Sequence, residues 1–348
     1  MSTSLLASAA QAKTGKTKIL VPDSNQPGVL DVTFKDDATA FNGVKHERID
    51  GKGALAAKIS AHLFELLESV GLKTCFLGRA NASHQLRYLA LTMMPLEVVV
   101  RNKAFGGFIK RYPQLSSGYP MPMPLVEYFL KDDAAGDPLL SEAAIGELNL
   151  LPSSLNLGLL RRRAMQVNEI LVAYFDALNI DCADFKLEFG LDAQGDLRIA
   201  DELSPDNFRL RDKATHRVLD KDVFRQDLGA LADAYAEVLN RIEACPPAAF
   251  LASWTPALKT YNAEMVVMRR PELLHPEAEA IKQAAESLKL AHIRDFSAGK
   301  CFQLTVSAPH MLAAEKALLL LGESLLANPV LENIGLRHLE PFLEAGLE

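Results

Sequence analysis

Apolar and polar residues alternate along Phe185–Leu191 and run apolar along Asp196–Asp201, with Asp192-Ala193-Gln194-Gly195 between them. Those four residue types form tight turns, so the pattern predicts a β-hairpin. A four-residue loop sets Leu191 opposite Asp196 and, counting back, Lys186 opposite Asp201. The pleat then sends Lys186, Glu188 and Asp201 to one face and Phe185, Leu187 and Phe189 to a core.

The same reading extends along the chain. Strands are predicted over Ile19–Val21, Val29–Phe34, Leu86–Leu91 and Leu96–Val100, with a hairpin across Lys35 to Gly43. Apolar positions at three- and four-residue spacing predict helices over Gly53–Val70, Arg162–Leu178 and Val223–Ile242. Gly71 stands where a C-cap belongs, and Asp222 stands where it could cap the third helix. Cys245-Pro246-Pro247 through Pro256 is proline-rich and aperiodic, which reads as a linker. Beyond it come a strand (Glu264–Met268), a helix (Pro276–Leu288), two strands (Ala291–Phe296, Lys300–Val306), a helix (Met311–Leu326) and a strand (Ile334–His338). That β-α-β-β-α-β order is ferredoxin-like, and the chain as a whole reads as α+β.

Composition narrows the function classes. The 348 residues allow two or three units with separate cores, and 49% hydrophobic with 23% charged residues fits a globular protein. No run approaches the ~18 apolar residues of a membrane span. The opening MSTSLLASAAQAK lacks a basic start and reads as a frayed tail rather than a leader. Four cysteines without C-x-x-C spacing argue against a zinc site and a disulfide framework. They fit a reduced, cytoplasmic protein. A formal charge of −7 argues against general nucleic-acid binding. Anionic substrates would then need local concentrations of basic residues.

Three such concentrations occur. Lys13-Thr14-Gly15-Lys16-Thr17-Lys18 precedes a strand, where a glycine between lysines lets backbone N–H groups approach phosphates. A solvated tail explains the same residues, and Walker A spacing is absent. Arg101 to Arg111 carries Gly106-Gly107 after a buried-type strand. Arg209, Arg211 and Lys213 lead to Lys221 and Arg225, and arginine forks suit phosphate or carboxylate. The Lys186, Glu188, Asp201 trio fits a Mg²⁺ ion held against nucleotide phosphates, or a structural ion-pair cluster. Met94 and Pro95, between two predicted strands, suit an apolar slot for a flat base or plain core.

DFKLEFG followed by ADELSPDNFRLRD resembles the signature of the SAICAR synthetase family, ATP-dependent ligases of purine biosynthesis. G-K-T-K, D-x-A-T-A-F-N-G, V-V-R-N-x-x-x-G-G and F-L-K-D-D…G-D-P resemble further family phrases, and the likeness spans roughly residues 13 to 243. It implies a two-lobed, kinase- or ATP-grasp-like domain over 1–243, with an ATP lobe at 13–95 and a substrate lobe at 96–243. Carried over position by position, it implies ATP contacts at Gly15, Lys16, Lys18, Met94 and Lys131. Lys186, Glu188 and Asp201 become the catalytic set, with Glu188, Asp201 and Asp137 on Mg²⁺. Arg101, Gly107, Ser204, Asp206, Arg209, Lys221 and Arg225 become substrate contacts. Gly107 replaces a family serine, Arg211 a frequent tryptophan and Asn42 a frequent aspartate.

After a linker at 244–261, residues 262–348 carry Leu273-Leu274-His275-Pro276, Ile293-Arg294-Asp295-Phe296-Ser297-Ala298-Gly299-Lys300 and Leu325-Leu326-Ala327-Asn328-Pro329-Val330. These resemble the PurS family, the small subunit of formylglycinamidine ribonucleotide synthetase, although His275 stands where aspartate is usual. The two resemblances together imply carboxyaminoimidazole ribonucleotide (CAIR), L-aspartate and ATP as substrates and Mg²⁺ as cofactor. They also imply a homo-oligomer and other subunits of that synthetase as partners. An inactive scaffold and a kinase-like phosphotransferase are the alternatives; the latter lacks the H-R-D and D-F-G phrases.

Overall fold

The computed structural model describes residues 12–40, 44–290, 292 and 295–342. Residues 1–11 and Asn42 lie outside that set. The chain divides after Trp254 into two compact units.

The first unit is built on two antiparallel sheets. One has the strand order Lys13–Thr14, Lys18–Pro22, Val29–Phe34, Gln85–Leu89, Phe76–Arg79. The other centres on the long strand Ile180–Leu191, paired on one side with Thr92–Lys103 and on the other with Leu197–Ala200 and Phe208–Asp212. The predicted alternation is realised on that strand: Phe185, Leu187 and Phe189 are buried on the core face, and the helix Leu157–Ala177 packs against the strand. The helix Lys52–Val70 is buried along Ala56, Ile59, Leu63, Leu66 and Leu67 and closes on Gly71 in the left-handed conformation. Asp37–Ala40 pairs with Lys45–Arg48 as the expected hairpin.

Four elements differ from expectation. The central hairpin is shifted by one: Leu191 faces Leu197, and Glu188 faces Ala200. Asp192 causes the shift, because its carboxylate accepts the N–H of both Gln194 (3.0 Å) and Asp196 (2.9 Å) and draws Asp196 into the loop. The helix expected over 223–242 is two helices, Asp222–Arg225 and Leu231–Ala244. Asp227 (φ 54°) and Gly229 (φ 136°) break it, since neither conformation continues a helix. Thr92-Met93-Met94-Pro95, expected to connect two strands, lies inside the strand Thr92–Lys103. The proline-rich stretch holds a helix, Pro247–Ser253, rather than a bare linker. Phe250 on that helix is 4% exposed, with its ring 5.1 Å from Tyr174 and 5.3 Å from Trp254.

The second unit is a three-stranded antiparallel sheet in the order Gly299–Ala308, Lys259–Arg269, Glu332–Pro341. Its helices are Pro276–Ser287 and Met311–Leu321, the latter ending in a π turn over Gly322–Leu326. Each helix is N-capped by an imidazole: His275 Nδ1 accepts from Ala278 N–H (3.3 Å) and His310 Nδ1 from Ala313 N–H (3.2 Å). The elements follow the ferredoxin-like order except at 291–296. There residues 291, 293 and 294 lie outside the described set, and 295 and 296 carry no strand. No described helix is long and apolar enough to cross a membrane.

Phe250→Ala removes a ring held between Tyr174 and Trp254, a loss of about 3–5 kcal/mol for a buried phenylalanine. Trp254 is the chain's single tryptophan. Its fluorescence should report a lower melting temperature and a red-shifted native emission; an unchanged melt would show that this helix is a passive strap.

Candidate active site

The central strand turns Asp184, Lys186 and Glu188 to one face, because alternate residues share a side of the pleat. Around Lys186 a lysine–carboxylate cluster assembles. Its ammonium lies 2.8 Å from Glu97, 2.9 Å from Glu188 and 3.6 Å from Asp201. Lys131, just past the strand Pro120–Leu130 that flanks Thr92–Lys103, pairs with Glu188, and Lys18 pairs with Asp201 and, at 3.3 Å, with Glu202. The shifted register would carry Asp201 to the apolar face. Asp201 instead adopts φ 67°, leaves the ladder and returns its carboxylate to the charged face. The predicted convergence of Lys186, Glu188 and Asp201 is therefore real, reached by a different backbone route.

Electrostatics keep Asp201 and Lys186 ionised. Burial pushes the Asp201 carboxyl up, but Lys18 and Lys186 outweigh it and hold the group well below the usual carboxylate range. Burial likewise opposes the charge on Lys186, and Asp201, Glu188 and Glu97 together raise its pKa well above the ordinary value. Lys18 is buried against carboxylates, so its position is that of a counter-charge rather than an open phosphate contact. Lys16 and Lys131 are half-exposed, and Lys16 reaches Asp133 at 2.7 Å. That contact joins the loop after Lys131 to the Lys13–Lys18 hairpin, whose turn is closed by Gly15 N–H on Lys18 C=O (2.8 Å).

Asp137 does not join this cluster. Its carboxylate accepts from Asp132 N–H at 3.0 Å within its own loop, and no group of three His, Cys, Asp or Glu side chains among the described residues is arranged to hold a metal ion. Met94 is buried in its strand. The residues here that would hold a divalent ion are Glu188 and Asp201, whose carboxylates supply hard oxygen donors.

A second network flanks the first. Asp184, 3% exposed, accepts from Arg101 (3.0 Å) on one neighbouring strand and from Arg209 (2.9 Å) on the other. Arg101 also holds Glu127 at 2.6 Å and is 5% exposed, so it props the site from within instead of clamping a ligand at its surface. Arg209 reaches Asp222 at 3.1 Å, Arg225 reaches the same carboxylate at 2.7 Å, and Arg211 pairs with Asp220 and lies 5.2 Å over the Phe105 ring. Asp222 is therefore an arginine anchor and makes no helix-cap bond. The glycine that matters most is Gly106 and not Gly107. At φ 53°, ψ −123°, a Cβ on Gly106 would stand 2.4 Å from the Arg209 guanidinium. Gly107 merely opens the short helix Gly107–Arg111.

The loop from Asp201 to Asn207 joins the two networks. Ser204 is fully buried, donating to Glu202 (3.2 Å) and accepting from Asp206 N–H (3.2 Å). Asp206 is buried against Lys52 and, at 3.1 Å, Lys221. Sequence reading missed Lys52, Glu97 and Glu127, all distant in the chain from the stretch they serve, and gave no role to Asp184, the first residue of DFKLEFG. Of these, Lys52 had a faint signal in Gly51-Lys52-Gly53 at a helix start.

Both parts of the chain resemble known proteins. A SAICAR synthetase family model matches residues 11–242, and a model described as phosphoribosylformylglycinamidine (FGAM) synthase, PurS, matches residues 262–340. The phosphoribosylaminoimidazole-succinocarboxamide synthase of Deinococcus deserti is 45% identical over 228 residues, 66% of this chain and 94% of the relative; that of Gloeobacter violaceus is 47% identical, over 66% and 91%. A SAICAR synthetase solved in complex with ADP superposes with TM-score 0.64 at 43% identity, covering 68% of this chain and 99% of its own. The Ehrlichia chaffeensis enzyme superposes with TM-score 0.64 at 38% identity, over 67% and 98%. The chain belongs to the SAICAR synthetase family and carries a PurS-like domain at its carboxy-terminal end.

Proposed function

We propose that the first unit joins the carboxylate of CAIR to the amine of L-aspartate at the expense of ATP. The observation that carries this reading is the lysine–carboxylate cluster around Lys186, which supplies both charge signs that a metal-bound nucleotide requires. A free carboxylate does not acylate an amine. Transfer of the γ-phosphoryl group to a CAIR carboxylate oxygen, with ADP leaving, gives an acyl phosphate; the aspartate nitrogen then attacks the acyl carbon, and phosphate leaves as the amine gives up a proton.

The residues divide this work. Lys16 and Lys131 exchange their present carboxylate partners for nucleotide phosphates, and Lys186 opposes the charge that develops on the transferring group. Glu188 and Asp201 would hold Mg²⁺, since both are carboxylate oxygen donors that meet at the Lys186 ammonium. When bound, the ion neutralises phosphate charge and aligns the group in transfer. Arg209, with Lys221 and Arg225 nearby, offers cations for the ribonucleotide phosphate, while Arg101 fixes Asp184 behind it. Catalysis in this account is positioning and electrostatics, without a protein nucleophile. The PurS-like unit serves as a non-catalytic association module, for copies of this chain or for amidotransferase subunits.

ADP release is the first assay. It should require Mg²⁺, ATP, CAIR and L-aspartate together, and Glu188→Gln should lower it by on the order of 10²–10³-fold. Release without aspartate would favour a phosphotransferase. A folded, ATP-binding protein with no release would favour a scaffold. Gly106→Ala, by displacing Arg209, should raise the KM for CAIR at least ~10-fold while ADP affinity, measured by calorimetry, stays put. Equal loss of both would place Gly106 in the nucleotide site.

A further inference from the structure

Lys52 occupies a costly position. It is the first residue of the helix Lys52–Val70 and is 1% exposed, although a cation at a helix N-terminus opposes the helix dipole. Its ammonium pairs with Asp206, approaches the Asp37 carbonyl at 3.4 Å and lies 5.9 Å from the Tyr235 ring centroid. A buried ion pair of this kind adds little net stability over apolar residues of the same volume, so stability alone does not explain its presence.

What Lys52 touches is informative. Asp206 sits in the loop whose other end supplies Asp201 and Glu202 to the lysine–carboxylate cluster. The same helix grips that loop again two turns on, where Ser60 Oγ, fully buried, accepts from Leu203 N–H at 3.1 Å. At the helix start, Gly53 N–H donates to Asp36 at 3.0 Å, so the helix is pinned to the hairpin Asp37–Ala40/Lys45–Arg48 as well. Lys45 of that hairpin reaches across to the Phe224 carbonyl at 2.6 Å and Asp227 at 2.5 Å. One helix thus sets the distance between the hairpin and the 201–207 loop, and Lys52 is the contact common to both.

We propose that Lys52 is a positioning residue for the ligase reaction: it fixes the Asp206 carboxylate and, through the 201–207 loop, the substrate side of the site. The proposal rests on the functional reading above. The groups facing Asp206 are Lys52, Lys221 and the Tyr235 ring, with Glu202 on the same loop. Burial pushes the Asp206 carboxyl up, and Lys52 with Lys221 outweighs it and holds the group well below the usual range. Losing Lys52 removes the larger of the two lysine contributions that hold Asp206 low, so an acid limb governed by Asp206 moves toward neutral pH.

The test is steady-state kinetics of the full chain with Lys52→Met, and with Ser60→Ala as a milder variant that loosens the same loop. Expected for Lys52→Met are a KM for CAIR or aspartate raised at least ~10-fold, a KM for ATP within ~2-fold of wild type, and an acid limb of kcat/KM moved up by at least ~1 pH unit. Ser60→Ala should raise the same KM without moving the acid limb. Lys52→Arg, which keeps the charge, should restore the limb. If Lys52→Met does not fold, an Arg variant with wild-type KM and a Ser60→Ala with altered KM still support the proposal. Folded variants with wild-type KM values and acid limb overturn it. No turnover by the wild type overturns the functional reading, and this proposal with it.

Discussion

The alternation of charge and apolar bulk along Asp184-Phe185-Lys186-Leu187-Glu188-Phe189 is the constraint on which the first unit depends. Its apolar half is buried in the core, and its charged half is the floor of the site. A slip of this strand by one residue would exchange the two faces and destroy both at once. Asp184 guards against that slip, because its carboxylate is bonded to an arginine from each neighbouring strand. The register of the sheet and the placement of the charged face therefore share one set of interactions.

The site is also a balance of buried charges. Glu97, Glu188, Asp201 and Glu202 face Lys18, Lys131 and Lys186, and the buried members, Lys18, Glu188 and Glu202, depend most on their partners. On the proposed function, a nucleotide would bring anionic phosphates for the lysines, and the carboxylates they release would be free to hold a divalent ion. Lys16 and Lys131, half-exposed, are the members solvent and ligand can reach first. Lys18 and Arg101, held inside, pair with carboxylates that ligand does not reach first.

Much of this was legible in the sequence, where a local rule governed. Period-two alternation located the central strand, and three- and four-residue spacing located the helix Lys52–Val70 with its Gly71 stop. The convergence of Lys186, Glu188 and Asp201 was read correctly although the register was not, because the Asx turn at Asp192 and the left-handed φ of Asp201 offset one another. What the sequence hid was long-range pairing. Nothing near Asp206 announces Lys52, 154 positions away, and nothing near Arg101 announces that Asp184 and Glu127 enclose it. Gly229 likewise broke a helix whose apolar spacing ran on regardless.

A crystal structure of the chain with Mg²⁺ and a non-hydrolysable ATP analogue tests the central claim most directly. The account predicts one metal ion on Glu188 and Asp201, with Lys131 and Lys16 turned from their carboxylates onto phosphate oxygens and Asp137 still bound to its own loop. A nucleotide bound elsewhere, with the Lys131–Glu188 and Lys186–Glu188 pairs unbroken and no metal between Glu188 and Asp201, would contradict it.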